Sequence, residues 1–586
     1  MNTLISYCWS SVGSLPKLTA LQFFPLLTFL IGGPPNDSKV KQHSDETLGN
    51  GVQCIQSLLK GCQNQGVSFY KGVFEDTKMI PCLGHLISVL LDIVLSCSNT
   101  DVQMTSLDTL KLLYQLLNDG EILSFVLPGT ISSISKLMIK NPHYQVTIKA
   151  LEVIRVIVSC CFNDVDLDVH KKHNIQTIED LKDSIIPIDD KESVENGFKV
   201  VIPENVGDKR HRTTAWLRAT SYQLQKGFKV ILNIKEEKLS RESVRQALFD
   251  LILSIFVNCF KSCEVMLPTL FDTLTDVCCS DVMFQDYLIA SMKTSVNFAD
   301  FKLLLDDSLV KDLDKLSFVL SSPDTTKILS LFNRLTFFTT TMCDLNFMGE
   351  VATERLTNKL NDELSFLLQL ANSSNAKKKI TAGSLTSIVT DKKKSYITEM
   401  KLISSNYLGT GLDFEEPVSI SIFDGIFDKE VESALLQLLK SLSNSPTICQ
   451  VLDQLLLNCE TTNNQINNTI QQSTSIWLST TILSFKDTTH RKNVDPVDEF
   501  MQFDDSDSDN ESVYTVTEDD DELAIVLQNN VYTSLEKSYE VLDLVSTESK
   551  GSLGSIKATI MALSTIGNAC VILNDSFQDE LHKVLP

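Results

Sequence analysis

Aromatic residues make up only 7% of this 586-residue chain, and glycine occupies only 22 positions. Sheets with frequent tight turns use more of both, so the composition argues against an all-β body and for helices packed on helices. Recognisable catalytic signatures are also missing. The sequence has no Walker loop, nucleophile elbow, HExxH, dinucleotide fingerprint or kinase signature set. Gly409-Thr410-Gly411 is a fragment of a glycine loop, but Asp413, Glu415 and Glu416 follow it and would repel phosphate, so it reads as a surface turn. No catalytic, cofactor-binding or metal-ligating residue is assigned, and the chain is expected not to be an enzyme.

Positive charge is in deficit. With 51 basic against 75 acidic residues the formal charge is −24, which opposes a nucleic-acid surface because phosphates need a positive groove. Long apolar runs are scarce too. Leu21–Ile31 (LQFFPLLTFLI) is too short to span a bilayer, contains Pro25 and leads into Gly32-Gly33-Pro34-Pro35 with no small-x-small cleavage pattern. It is expected to be a buried first-repeat helix, and no other stretch is expected to reach membrane length.

The 15 cysteines are irregularly spaced, and two adjacent pairs, Cys160-Cys161 and Cys278-Cys279, fall inside apolar helical runs. Neighbouring side chains on a helix point in different directions, so these read as reduced core thiols in a cytoplasmic and nuclear compartment. Cys160 and Cys161 followed by His170 and His173 match no standard zinc spacing.

A chain this long either splits into domains or grows as an array, and its periodicity supports the array. From Asp101, Val102, Leu107, Leu110, Leu113 and Leu117 share one helical face. A second helix follows near Leu123. Leu127-Pro128-Gly129-Thr130 then reads as a turn before Ile131–Met138, and Asn141-Pro142 closes the unit. The next helix, Gln145–Cys161, turns Val146, Ala150, Val153, Ile154 and Ile157 inward and starts about 44 residues after Asp101, a HEAT-type period. Helices resume at Thr213–Leu232, with Trp216, Leu217, Leu224 and Phe228 placed for burial, and at Ser240–Cys259. There Val244-Arg245 occupies the Val-Arg position of HEAT-type repeats, the Val packing inward and the Arg bridging to an adjacent repeat. Leu267–Cys279, Met283–Ser295, Ile328–Thr341, Glu354–Asn372, Glu430–Ser443 and Thr447–Cys459 continue the series.

The fold class is therefore an all-α solenoid of HEAT or armadillo-like repeats, divided as 1–162 (repeats), 163–210 (insertion loop), 211–372 (repeats), 373–397 (Lys-rich loop), 398–487 (helical repeats, with an Asn/Gln/Thr-rich loop entering the Trp477 helix), 488–522 (acidic disordered linker) and 523–586 (repeats, apparently incomplete). Asp498–Glu522 holds twelve carboxylates and no Lys or Arg, too little apolar surface to order itself. Ser506, Ser508, Thr515 and Thr517 each have an acidic residue three places on, which suits an acidophilic kinase, and the phosphorylated strip would suit a Lys/Arg-lined reader. An inert acidic linker is the competing reading.

Three stretches carry a resemblance: LTALQFFPLLTFL, EILSFVLPGTISSISKLMIKNPHYQVTIKALEVIRVIV from Glu121, and HRTTAWLRATSYQL from His211. In this order they resemble the Tel-two interacting protein one family over about Leu21–Leu274. Arg212, Thr213, Trp216 and Leu217 form the most specific string, followed by Leu127-Pro128-Gly129 and Val244-Arg245. Met1–Pro16 departs from the family's usual first helix. Family members are considerably longer, so the chain reads as an N-terminal part of one.

The resemblance implies a HEAT-repeat scaffold of the triple-T co-chaperone complex, an ASTRA component in fungi. Such a scaffold binds the Tel-two subunit and a third small subunit, escorts newly made phosphatidylinositol 3-kinase-related kinases, including target of rapamycin, to the chaperone, and meets a chaperone adaptor that reads phosphorylated Asp-Ser-Asp motifs. It implies no cofactor and no direct contact with nucleic acid or membrane. The alternative is another HEAT-repeat adaptor, such as a nuclear transport receptor that takes basic cargo.

Overall fold

The computed structural model describes residues 8–9, 13–34, 40–74, 79–167, 212, 214–322, 324–372, 427–458, 466–491, 518–547 and 553–573. Among these every extended regular element is a helix. The chain divides into two compact units, 1–298 and 299–586.

The first unit contains α1 (Lys17–Gly32), α2 (Asp45–Asn64), α3 (Val67–Phe74), α4 (Ile80–Ser96), α5 (Thr100–Leu117), α6 (Gly120–Ile139), α7 (Tyr144–Cys161), α8 (Thr214–Leu232), α9 (Glu236–Leu239), α10 (Glu242–Asn258), α11 (Leu267–Cys279) and α12 (Val282–Lys293). Their contacts sort into two layers. Helices α1, α4, α6, α8 and α11 stack in one, α2, α5, α7 and α10 in the other, and the pairs α1/α2, α4/α5, α6/α7 and α10/α11 cross between layers. This is a helix-pair solenoid, in which each pair covers the apolar face its neighbour cannot bury alone.

Local signals start and stop these helices. Asn99 accepts from the Asp101 amide at 2.9 Å to begin α5, and Asn118, at φ 39°, ends it in the left-handed conformation that asparagine tolerates. Asp119 then accepts from the amides of Glu121 (2.8 Å) and Ile122 (3.3 Å) to begin α6. The inward faces read from the sequence are buried: Val102, Leu107, Leu110, Leu113 and Leu117 in α5, and Val146, Ala150, Val153, Ile154 and Ile157 in α7.

Four readings are corrected here. Leu127-Pro128-Gly129-Thr130 is not a turn; it lies inside α6, which runs through Pro128. Pro128 removes one helical N–H, but Leu127 and Ile131 beside it are buried and packing against α4, α7 and α8 holds the helix together. That same α6 is long and apolar enough to cross a membrane by length and composition, so one stretch does reach that length; Leu123, Leu127, Ile131 and Ile134 are buried within the protein. The first helix is buried on one side only. Ala20, Phe24, Leu27 and Ile31 face inward, whereas Leu18, Leu26, Phe29 and Leu30 are exposed. Finally, Asp164, assigned to the insertion loop, is buried in the first unit, although Val165 and Asp166 beside it are exposed.

The second unit contains α13 (Phe298–Leu320), α14 (Thr325–Asp344), α15 (Glu350–Asn372), α16 (Lys429–Ser443), α17 (Ile448–Asn458), α18 (Ile466–Arg491), α19 (Glu518–Thr547) and α20 (Leu553–Leu573). Its centre is α18, buried from Ser473 through Ser484 and packed on α15, α16, α17, α19 and α20. The small hydroxyls there bond back to their own helix, Thr474 to the Ile470 carbonyl and Ser479 to that of Ser475, so a Ser/Thr-rich helix can be enclosed without orphaned hydroxyls at those positions. The Asn/Gln/Thr-rich stretch read as a loop is therefore helical from Ile466. The acidic strip's last five residues, Glu518–Glu522, open α19, where carboxylates are favoured by the helix dipole. Ser506, Ser508, Thr515, Thr517 and the Lys-rich loop 373–397 lie outside the described residues.

Candidate interaction surface

Arg212 is the centre of the family-specific string, and its side chain is only 8% exposed. Its Nε donates to Glu121 Oε1 at 3.0 Å, and its Nη1 donates to the carbonyls of Cys160 (3.3 Å) and Cys161 (3.1 Å). Glu121 also accepts from the Arg212 amide at 3.3 Å. One guanidinium thus joins the first turn of α6, the last turn of α7 and the entry to α8. The carbonyls at the end of α7 have no helical partner and carry the negative end of its dipole, so a cation is favoured there.

The space around the guanidinium is tight. A Cβ on Gly120 would sit 2.2 Å from Arg212 Nη1 and 2.4 Å from the Cys160 carbonyl. Trp216, one turn on, lies nearly parallel to Phe162, with ring centroids 5.7 Å apart; Leu217 is buried, and Thr213 lies outside the described residues.

Asp164 is the second node. Almost fully buried, it accepts from the amides of Lys261 (3.0 Å) and Ser262 (2.9 Å) and from Ser262 Oγ (2.5 Å). It therefore ties the segment after α7 to the turn after α10. On the opposite edge Arg241 stacks over the Tyr144 ring at 4.1 Å. Val244 is buried as expected. Arg245, however, does not bridge to an adjacent repeat: its Nη1 donates to the carbonyls of Leu239 (2.9 Å) and Ser240 (3.0 Å) in the preceding turn.

The thiols near the Arg212 node are not activated. Burial pushes Cys160 up to about 11 and holds Cys161, Cys259 and Cys263 well above the ordinary thiol range, whereas a nucleophilic cysteine needs the opposite shift. Cys160 donates to Asn118 Oδ1 at 3.5 Å. Among the described residues no three His, Cys, Asp or Glu side chains converge as a metal site; His170 and His173 lie outside them. In the second unit a cleft of about 420 Å3 between α14 and α16 is lined by Leu329, Asn333, Lys429 and Glu430.

What the first unit offers is surface. On α1, Leu18, Leu26, Phe29 and Leu30 lie within about 120° of one another around the axis, each 46–67% exposed, opposite the face that packs on α2 and α4. Exposed Gln22 lies among them. This face was missed because α1 is apolar over most of its surface, and such a helix reads as fully buried.

Comparison with known proteins places this unit. Residues 9–281 match the family model described as the TTI1 N-terminal TPR domain. TEL2-interacting protein 1 of Saccharomyces cerevisiae is 31% identical over 274 residues, which is 45% of this chain and 26% of the relative. The chain therefore matches about a quarter of that relative's length. The family model describes TPR repeats where the sequence suggested HEAT repeats; both are solenoids of helix pairs, and the layered first unit is such a solenoid. Residues 9–281 are thus similar to the TTI1 N-terminal domain, and that similarity is confined to the first unit.

Proposed function

We propose that this chain is a non-catalytic scaffold of a co-chaperone assembly, binding a TEL2-type subunit and, with it and a third small subunit, holding newly made phosphatidylinositol 3-kinase-related kinases, target of rapamycin among them, for maturation. The observation that carries the reading is the match of the first unit to a protein named for its interaction with TEL2. The layered array supports it: a solenoid presents extended faces with many shallow contacts, which suits large helical clients. In this reading the chain works in the cytoplasm and nucleus, in complexes of the triple-T and ASTRA kind.

The acidic strip would add a regulated contact. With Ser506 and Ser508 phosphorylated it would present Asp-phosphoserine-Asp to a basic reader on a chaperone adaptor. Unchanged capture of a phospho-acidic reader domain after Ser506→Ala and Ser508→Ala would reject that part alone. For the scaffold itself, the tagged chain is expressed in cells and its co-purifying proteins are identified by mass spectrometry. A TEL2-type subunit with large kinases is the expected result; basic cargo with nuclear-pore proteins would replace the reading with a transport adaptor.

A further inference from the structure

Helix α8 carries no Asp or Glu, in a chain with a formal charge of −24. Its three cations, Arg218, Lys226 and Lys229, are all exposed, as is Tyr222, at 59%. At 100° per residue these four fall within an arc of about 80° and run about 16 Å along the helix. Arg218 and Lys226 flank Tyr222 one turn away on either side.

The orientation of this face is fixed from behind. Leu217, Leu224, Phe228 and Ile231 are buried on the opposite side. Gly227 lets Ile131 of α6 approach so closely that a Cβ there would lie 2.7 Å from it. Ser221 Oγ donates to the Ser262 carbonyl at 3.2 Å and Gln225 Nε2 to that of Val265 at 3.4 Å. The Arg212 node anchors the helix's entry. The stripe is presented by a helix that cannot roll.

Carboxylates outnumber cations in this protein, and several of its lysines are held by one. Lys111 pairs with Glu152, Lys149 with Asp108, Lys327 with Asp324 and Lys359 with Glu363. Among the described residues Arg218, Lys226 and Lys229 make no such pair. Three unpaired cations around an exposed tyrosine, on a rigid helix, form a receptor for negative charge.

We propose that the Arg218–Tyr222–Lys226–Lys229 face of α8 docks an acidic peptide segment of a partner protein. An extended segment of about five residues covers 16 Å; its carboxylates meet the guanidinium and the two ammonium groups, and an aromatic or aliphatic side chain lies against Tyr222. A nucleic acid fits less well: three cations neutralise only about three phosphates of a long polyanion, which the negative charge of the rest of the chain repels. The proposal is independent of TEL2 binding and stands or falls by its own measurement.

A fluorescein-labelled peptide, Asp-Glu-Asp-Phe-Glu-Asp-Glu, is titrated with the purified full chain and followed by anisotropy. Binding is expected, weakening with added salt and falling at least tenfold in Arg218→Ser/Lys226→Ser/Lys229→Ser. A smaller loss is expected in Tyr222→Ser. The control Lys17→Ser/Lys60→Ser/Lys71→Ser removes the same charge from exposed positions on α1, α2 and α3 and is expected to leave the affinity unchanged. Absence of binding, an equal loss in the control, or tighter binding of a twelve-nucleotide oligo-dT or of anionic vesicles would each overturn the proposal.

Discussion

Replacing Arg212 with Met keeps much of the side-chain volume but removes every hydrogen bond of the guanidinium. Three acceptors lose a charged donor at once: Glu121 and the carbonyls of Cys160 and Cys161. Removing one partner of a buried ion pair costs about 3–5 kcal/mol. Glu121 retains 28% side-chain exposure, so water recovers part of that, and a loss of about 2–4 kcal/mol is expected. Because the acceptors lie at the ends of α6 and α7, the loss should be local. Hydrogen exchange of the full chain reads it directly, as about 30- to 1,000-fold faster exchange in peptides covering 120–126, 158–162 and 214–220, with α1 and α2 unaffected. Arg212→Lys keeps the charge but not the fork and should recover only part of the protection. Gly120→Ala should open the same three segments from the other side. Acceleration below threefold, or one spread evenly over the first unit, would refute the node.

Asp164→Ala leaves two amides and a hydroxyl without their acceptor; a loss of about 2–4 kcal/mol is expected, seen as faster exchange at Lys261 and Ser262. The core thiols set an alkaline limit. Burial raises Cys82 and Cys160 to about 11 and Cys62 and Cys343 to about 12. The native state therefore favours the neutral thiol; that stability is whole below the unfolded value of about 8.5 and is lost as pH rises through 11. Urea midpoints should be flat from pH 7 to 8 and fall above 9. On α1, Leu26→Ser/Leu30→Ser changes exposed side chains, so stability should shift by less than about 1 kcal/mol while capture of partner subunits drops.

Periodicity carried most of the fold. In α5 and α7 every residue assigned to the inner face is buried, because each helix has one apolar side and 3.6-residue spacing identifies it. The same rule failed where packing overrode local chemistry. Leu127-Pro128-Gly129-Thr130 has the composition of a turn, yet neighbours on three sides hold it helical. In Ile466–Ser475, part of the Asn/Gln/Thr-rich stretch, the hydroxyls and amides suggested a loop, but back-bonding such as Ser473 to the Thr469 carbonyl lets them lie inside a helix.

The surface was legible only in part. Arg212, Trp216 and Leu217 could be singled out as a string, but the partners of Arg212 lie 91, 52 and 51 residues away, and no local pattern encodes that pairing. Asp164 sits in the run NDVDLDV among equally acidic neighbours, with nothing to mark it as the buried one. The α8 stripe was visible in principle: a helix with three cations and no carboxylate can be read by placing its charges on a wheel as well as its leucines.

The most direct measurement is the mass in solution of the purified chain mixed with the purified TEL2-type subunit of its own organism, by size exclusion with light scattering. A single peak at the summed mass of the two proteins is expected on the proposed scaffold function. Two peaks at the separate masses, with both proteins folded, would contradict it.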